Sequence, residues 1–189
     1  MFGTAKKHQQ IHGNLTRKRK SSEFAIYKQN VYRANEFQTL RQFANTISSQ
    51  DMVNDAKATG RRMYVVPDSH PVLRTLYNKR FVETVRKLTG NRKLRPCLTI
   101  PVEYRTYEVG SYMDWHNDTQ MLPDQLQYEC VVTLTNTSDS ETLLEYPKTI
   151  KTLETKPNSL LIVRANGIRH KVTPVQKGER TILKLVFCE

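Results

Sequence analysis

The segment YEVGSYMDWHND, residues 107–118, contains a His-x-Asp pair formed by His116 and Asp118. In a β-strand, residues two apart point to the same face, so these side chains would project together while Asn117 points away. An imidazole and a carboxylate make two arms of a metal-binding facial triad, which needs a third ligand and leaves coordination positions open. Alone, the pair is more typical of a solvated surface pair.

Two residues far along the chain add to this pair. His170 opens a strand-like segment after an Asn-Gly turn signal, and about four short strand patterns separate it from Asp118. A jelly roll can bring these two ends together across its sheets. Arg180 opens the last strand pattern, RTILKLVF. A guanidinium held inside a barrel needs an anion and suits a two-pronged carboxylate contact, although a surface ion pair with Glu179 or Glu189 is the alternative.

Lys184 shares the predicted face of Arg180 in this last strand. A second inward cation is costly unless a carboxylate lies near it. We therefore expect local twist to turn Lys184 to solvent rather than toward a ligand of Arg180.

The elements that must position these residues fall into two halves. Helical periodicity covers residues 35–47, with Asn35 as N-cap, and residues 69–88, with Gly90 as C-cap. After Pro96 the chain consists of short β-branched and aromatic segments separated by turn residues, which is typical of a sandwich or jelly roll. The prediction is an α+β, mainly β fold with a double-stranded β-helix (jelly-roll) core over residues 98–189, supported by N-terminal helices over residues 23–97.

Charge is distributed unevenly along the chain. Residues 1–97 carry 20 Lys and Arg against 6 Asp and Glu, whereas residues 98–189 carry 10 against 12. Residues 1–22 contain few large apolar side chains and are predicted to be a basic flexible tail before a single domain at 23–189. The basic excess either binds an acidic or nucleic-acid-associated partner or only keeps the protein soluble.

Targeting signals and cysteines indicate the compartment. Neither a signal peptide nor a membrane-spanning apolar run is evident in the sequence. Three scattered cysteines argue against a disulfide framework. The expectation is an intracellular protein, cytoplasmic or nuclear, without a membrane partner and with an oligomeric state that the sequence leaves open.

The order of the motifs carries a family resemblance. Y-x-x-G-x-x-x-x-W-H-N-D, then SETLLEYP, then PNSLLIV, then H-K-V-x-P-V-x-x-G-E-R resembles the prolyl 4-hydroxylase-like branch of the iron(II)/2-oxoglutarate-dependent dioxygenases. The match covers about residues 98–189. The chain departs from the family pattern at Met113, where a Tyr is usual, and at Asn158, where a Gly is usual.

The resemblance implies a role for individual residues. His116, Asp118 and His170 would bind Fe(II), and Arg180 would bind the distal carboxylate of 2-oxoglutarate. Tyr107 would lie near this cosubstrate, although a simple core tyrosine is the alternative. O2 would be the oxidant, and ascorbate could assist.

Three further residues, Tyr112, Trp115 and Arg164, are candidate substrate contacts. Tyr112 lies beside the departure at position 113. Trp115 either flanks the substrate entrance or covers the sheet. Arg164 precedes the distal His170, where it would meet substrate, although exposed arginines are common.

The resulting hypothesis is a 2-oxoglutarate-dependent dioxygenase that hydroxylates prolyl residues in a peptide or protein and converts 2-oxoglutarate to succinate. Three alternatives stay open. The same chemistry could act on lysyl or other protein side chains, or on a nucleobase. The chain could also be a non-catalytic jelly-roll module that binds nucleic acid through its basic half.

Overall fold

The computed structural model describes residues 25–189, so the predicted basic tail at 1–22 lies outside the described residues. Within this part of the chain, no helix is long and apolar enough to cross a membrane. The three cysteines are buried free thiols.

Residues 25–189 form three α-helices, a 3-10 helix (Ser49–Asp51) and twelve strands. The helices are α1 (Ala34–Thr46), α2 (Val72–Leu76) and α3 (Lys79–Thr89). The strands are β1 (Ala25–Gln29), β2 (Val53–Asn54), β3 (Arg62–Val65), β4 (Arg95–Pro96), β5 (Glu103–Tyr107), β6 (Met113–His116), β7 (Gln127–Asn136), β8 (Thr142–Tyr146), β9 (Thr149–Leu153), β10 (Ser159–Arg164), β11 (His170–Val172) and β12 (Arg180–Cys188).

The strands form two antiparallel sheets. The main sheet has eight strands in the order β1-β10-β7-β12-β5-β3-β2, with β4 paired to β12, and the minor sheet has the order β6-β11-β8-β9. From β5 to β12, strands adjacent in sequence therefore alternate between the sheets, except that β8 and β9 form a hairpin within the minor sheet, as in a jelly roll. The predicted double-stranded β-helix is confirmed, and β1, β2 and β3 from the first half extend its main sheet.

Alternation along the main-sheet strands separates two environments. On the outer face, Leu183, Leu185 and Phe187 of β12 pack in one apolar cluster with helix residues such as Leu76 and Phe81. The next residue on the other side of β12, Ile182, packs instead with residues that face the minor sheet. The helices thus cover one face of the main sheet, and its other face lies toward the minor sheet.

Two local predictions in the helical half are wrong. The pattern over 69–88 forms two helices, because Asn78 interrupts it and caps α3 by accepting a hydrogen bond from the Phe81 N–H at 2.9 Å. The first helix begins at Ala34, so Asn35 is not its N-cap; instead the Glu36 carboxylate accepts a hydrogen bond from the Arg33 N–H at 2.7 Å. A polar residue inside a helical pattern, such as Asn78, can therefore be the N-cap of a new helix as well as a surface residue of one continuous helix.

Left-handed residues close the turns that lead into the site. Asn158 has φ 59°, as its position in place of a family glycine requires, and Gly178 has φ 71° two residues before Arg180. A Cβ on Gly178 would lie 2.3 Å from the Thr137 carbonyl oxygen, whereas a Cβ on Gly90, with φ 70°, would meet nothing within 4 Å. Gly178 is therefore required both by its positive φ and by the nearby Thr137 carbonyl, whereas Gly90 is required only by its positive φ.

We predict that Gly178→Ala destabilises the protein more than Gly90→Ala. Both variants take the left-handed cost of about 1–2 kcal/mol, and only Gly178→Ala also has to displace the Thr137 carbonyl. Urea unfolding followed by circular dichroism would measure both free energies. Equal losses for the two variants would contradict the predicted close approach.

Candidate metal centre

Pairing between two strands of the minor sheet brings the candidate ligands together. β11 is antiparallel to β6 with His170 directly opposite His116, and the register shifts beyond this pair. Asp118 lies two residues after β6 ends. Its Oδ1 is 3.9 Å from His116 Nε2, and its Oδ2 is 3.6 Å from His170 Nε2. All three ligand atoms lie within 4.8 Å of one another, a spacing that one metal ion can bridge.

The backbone orients both imidazole rings toward that common point. Asp114 O lies 2.7 Å from His116 Nδ1, and Ile168 O lies 3.2 Å from His170 Nδ1. A carbonyl oxygen can only accept, so each Nδ1 carries the proton and each Nε2 keeps its lone pair for a metal. Burial and the neighbouring His170 lower the pKa of His116, which favours the neutral ring that coordination needs.

A narrow inner cavity of about 40 Å³ leads from the three ligands to Arg180. Its walls include Leu161, Val172 and Ile182. Arg180 is 2 % exposed, and within the described residues no carboxylate pairs with it. Its NH1 donates to Thr142 Oγ1 at 3.0 Å, and its Nε is buried without a hydrogen-bond partner. Burial lowers the pKa of Arg180, as expected for a cation that lacks an anion.

Tyr107 lies beside Arg180 at the end of this cavity. The two residues are opposite each other in β5 and β12, and the guanidinium carbon of Arg180 is 5.7 Å from the Tyr107 ring centre. The Tyr107 hydroxyl accepts a hydrogen bond of 2.6 Å from Arg61 NH1, which also reaches Met113 Sδ at 3.0 Å. Arg61 therefore connects Tyr107 with Met113, the position at which the sequence departs from the motif that it resembles.

A buried ion pair holds Arg61 in place. Its Nε and NH2 both donate to Asp55 Oδ2, at 2.9 and 2.6 Å. Burial opposes ionisation of Asp55, but the Lys57 N–H and the charges of Arg61 and Arg105 keep the pKa of this carboxyl below its usual value. Asp55 is thus ionised at neutral pH and balances buried positive charge.

The expectation that Lys184 turns to solvent is wrong. Lys184 is 7 % exposed, and its Nζ lies 2.9 Å from Glu129 Oε2 across β12 and β7. The contact is electrostatic rather than a well-aligned hydrogen bond, since this oxygen has no hydrogen-bond partner of good geometry. Burial raises the pKa of Glu129 even though Lys184 opposes the shift. The twist that would have exposed Lys184 is unnecessary because Glu129 supplies the missing carboxylate.

An outer chamber of about 390 Å³ adjoins the metal ligands on the side away from Arg180. Four cations and two carboxylates line it, together with His116 and short polar or thioether side chains. The charged residues are Lys57, Arg61, Arg105, Lys184, Asp118 and Glu129, and the others are Met113, Asn117, Thr119 and Met121. The chamber is therefore polar and contains no aromatic ring.

The three expected substrate contacts lie outside both cavities. Trp115 is half-buried on the outer surface of the minor sheet, where Lys171 and Arg169 lie 5.3 and 5.8 Å from its ring centre. The backbone of Tyr112 pairs with Thr59. Arg164 ends β10 opposite Tyr128. None of Tyr112, Trp115 or Arg164 lines the inner cavity or the outer chamber.

Sequence reasoning missed Arg61, Arg105 and Glu129. Arg61 and Arg105 had no motif to single them out among 30 Lys and Arg residues. Glu129 did leave a signal, because it is a charge within the strongly apolar strand QYECVV. A carboxylate in such a strand predicts a buried partner, and Lys184 in the next strand of the sheet was the available cation.

Comparisons with known proteins find similar structures but no similar sequence. No family profile and no curated protein matches the chain. Its structure is similar to an oxidoreductase of the 2OG-Fe(II) oxygenase family from Burkholderia pseudomallei, with TM-score 0.69 and 16 % identity over 86 % of this chain and 84 % of that one.

This chain has the fold of the 2OG-Fe(II) oxygenases. A prolyl hydroxylase from Trichoplax adhaerens, in complex with a hypoxia-inducible factor peptide, matches with TM-score 0.66 and 14 % identity over 86 % of this chain and 82 % of that one. HygX from Streptomyces hygroscopicus, with nickel, 2-oxoglutarate and hygromycin B bound, matches with TM-score 0.66 and 12 % identity over 88 % of this chain and 83 % of that one.

The residues present fit a divalent metal and a dicarboxylic acid. Two imidazoles and one carboxylate are the donor set of the facial triad, and a backbone carbonyl orients each ring through its Nδ1. At the other end of the inner cavity, the guanidinium of Arg180, which pairs with no carboxylate of the described residues, is suited to a carboxylate.

We predict that Ni(II) stabilises the wild-type protein and not Asp118→Ala. At 100 times its dissociation constant, a bound ion contributes about 2.7 kcal/mol, which raises Tm by roughly 5–10 °C for a chain of this size. Differential scanning fluorimetry would measure this shift. Asp114→Ala is the matched control, because Asp114 is exposed in the same strand and contributes only its backbone carbonyl. An undiminished shift in Asp118→Ala would contradict the assignment.

We predict that Lys184→Met costs about 3–5 kcal/mol, because it leaves the Glu129 carboxylate buried and unpaired. The double variant Lys184→Met/Glu129→Gln should lose less than the single variant. The loss in Lys184→Met should also shrink as the pH falls, since the raised pKa of Glu129 lets the carboxyl become neutral on acidification. Urea unfolding at pH 5 and pH 8 would measure both effects. A double variant as unstable as Lys184→Met would argue against the ion pair.

Proposed function

We propose that this protein is an iron(II)/2-oxoglutarate-dependent dioxygenase that hydroxylates prolyl residues in a peptide or protein. The observation that supports it is the pairing of two incomplete sites through one cavity. His116, Asp118 and His170 converge on one point at the first end, and at the second Arg180 is buried with no carboxylate partner among the described residues. A divalent metal at the first end and a dicarboxylate reaching the second would complete both.

Each residue has a defined part in this proposal. His116, Asp118 and His170 would hold Fe(II) through two Nε2 atoms and a carboxylate oxygen. Arg180 would hold the distal carboxylate of 2-oxoglutarate, with Thr142 fixing the guanidinium through the hydrogen bond to NH1. When bound, iron and 2-oxoglutarate would use O2 to hydroxylate a C–H bond of the substrate, releasing succinate and CO2.

The residues that line the inner cavity also support the proposed 2-oxoglutarate site. The apolar side chains of Leu161, Val172 and Ile182 line the path between the metal ligands and Arg180. Such walls exclude water and strengthen the contact of Arg180 with a carboxylate. Tyr107, held by Arg61, would fix the position of the cosubstrate end without itself carrying charge.

The choice of a prolyl substrate rests on the motif resemblance and on one of the similar structures. The Trichoplax protein is a prolyl hydroxylase captured with a peptide, whereas HygX holds hygromycin B. The outer chamber of about 390 Å³ opens beside the metal ligands and has room for one residue and a neighbour of an extended peptide. A +16 Da shift on proline-containing peptides, detected by mass spectrometry, would test the substrate class.

We predict that Arg180→Ala weakens the use of 2-oxoglutarate by roughly 100-fold, because truncating one side of a buried charge pair costs about 2–5 kcal/mol. Succinate formation with Fe(II), measured against 2-oxoglutarate concentration, would give kcat/KM. Arg180→Lys should recover part of the loss, since it restores the charge without the fork. Arg92→Ala, which removes an exposed arginine, is the control. Normal succinate formation by Arg180→Ala would overturn the assigned role.

A further inference from the structure

The outer chamber has an imbalance between its donors and acceptors. Each carboxylate at its wall, apart from the metal ligand Asp118, already has a cationic partner within the chain. Glu129 pairs with Lys184 at 2.9 Å. Asp55 lies behind the wall and pairs with Arg61 at 2.6 Å. The chamber therefore offers a cationic substrate no free carboxylate among the described residues.

The donors of the chamber are less completely paired than its acceptors. Arg105 is 9 % exposed and its NH2 pairs with Glu103 at 2.5 Å, but its Nε has no hydrogen-bond partner and is 3.6 Å from Asp55 Oδ2. Lys57 is exposed at the rim, and no carboxylate of the described residues pairs with its ammonium group. Both lie in the lining of the chamber beside His116 and Asp118.

The chain positions Lys57 for this role. The Lys57 N–H donates to Asp55 Oδ1 at 2.9 Å, while Asp55 Oδ2 holds Arg61. One buried carboxylate thus fixes the backbone of the rim lysine and the guanidinium of the inner wall. A long cationic side chain loses rotamer freedom when it binds a ligand. Because the backbone of Lys57 is already fixed, binding would cost only the entropy of its side chain.

We propose that the substrate carries an anionic group close to the oxidised carbon, and that Lys57 and Arg105 bind it. This inference rests on the proposed function and narrows its substrate class to peptides in which an acidic residue flanks the target proline. The charges support it, because four cations line the chamber and three carboxylates pair with them, which leaves Lys57 without a carboxylate partner among the described residues.

A carboxylate and a phosphate would satisfy the same donors, so the test includes both. Four peptides of one length share a central proline and differ only in its two neighbours, which are Asp, phosphoserine, Asn or Lys. Binding to the protein loaded with Ni(II) and 2-oxoglutarate would be measured by fluorescence anisotropy. The Asp or phosphoserine peptide should bind at least about 10-fold tighter than the Asn peptide, a ratio that corresponds to about 1.4 kcal/mol. The Lys peptide should bind most weakly.

Charge reversal at the rim distinguishes a local contact from general attraction. Lys57→Glu should remove most of the preference for the acidic peptides. Lys87→Glu, which makes the same charge change on exposed α3, should leave it unchanged. Lys57 is the better variant for this purpose, because Arg105 also holds Glu103 and its replacement could disturb folding.

The outcomes separate the inference from the function on which it rests. Equal binding of the Asn and acidic peptides, binding of none of the four, or an unchanged preference in Lys57→Glu would overturn the anionic-substrate inference. Calorimetric binding of 2-oxoglutarate to the Ni(II)-loaded protein, without peptide, tests the cosubstrate site separately. Loss of that binding would contradict the proposed function itself. Hydroxylation of the Asn peptide at the rate of the Asp peptide would keep the function and reject the inference.

Discussion

Burial of positive charge between the two sheets is the constraint on which the site depends. Arg61, Lys184 and Arg180 are all buried there, and a buried cation is costly without an anion. The chain supplies Asp55 to Arg61 and Glu129 to Lys184, whereas no carboxylate between residues 25 and 189 pairs with Arg180. This difference separates two cations that belong to the architecture from one whose charge is left for a ligand.

The position of the candidate metal ligands follows from strand pairing rather than from their spacing in sequence. His116 and His170 are far apart in the chain, yet β6 and β11 place them directly opposite each other. The register shift beyond this pair releases the strands from regular pairing next to the site. Asp118 then approaches from the residue after Asn117, whose side chain Nδ2 donates to Gly167 O at 2.5 Å and fixes the departing loop. The pairing of β6 with β11 and the loop that Asn117 fixes are enough to assemble the donor set.

The sequence predicted those parts of the molecule that depend on local pattern. Alternation along RTILKLVF separated the helix-facing side of β12 from its inner side, and turn residues marked the ends of most strands. The split of residues 69–88 into α2 and α3 was not predicted, because the apolar stripe continues across Asn78. The prediction for Lys184 was also wrong, since the cost of its burial could be judged only once the pairing of β12 with β7 had brought Glu129 to 2.9 Å from its ammonium group.

The absence of sequence matches alongside a clear structural match has a physical reason. A jelly roll needs alternating apolar residues on its strands, and many sequences meet that requirement at the same backbone geometry. The proposed chemistry would need only a few residues, His116, Asp118, His170 and Arg180, at or near strand ends. The outer chamber is only partly under these constraints, because strand residues such as Arg105 and Lys184 share its lining with the segment around Lys57 and with loop residues such as Thr119 and Met121. The loop residues that would contact the substrate, Lys57 among them, are therefore the ones on which the shared fold gives the least information.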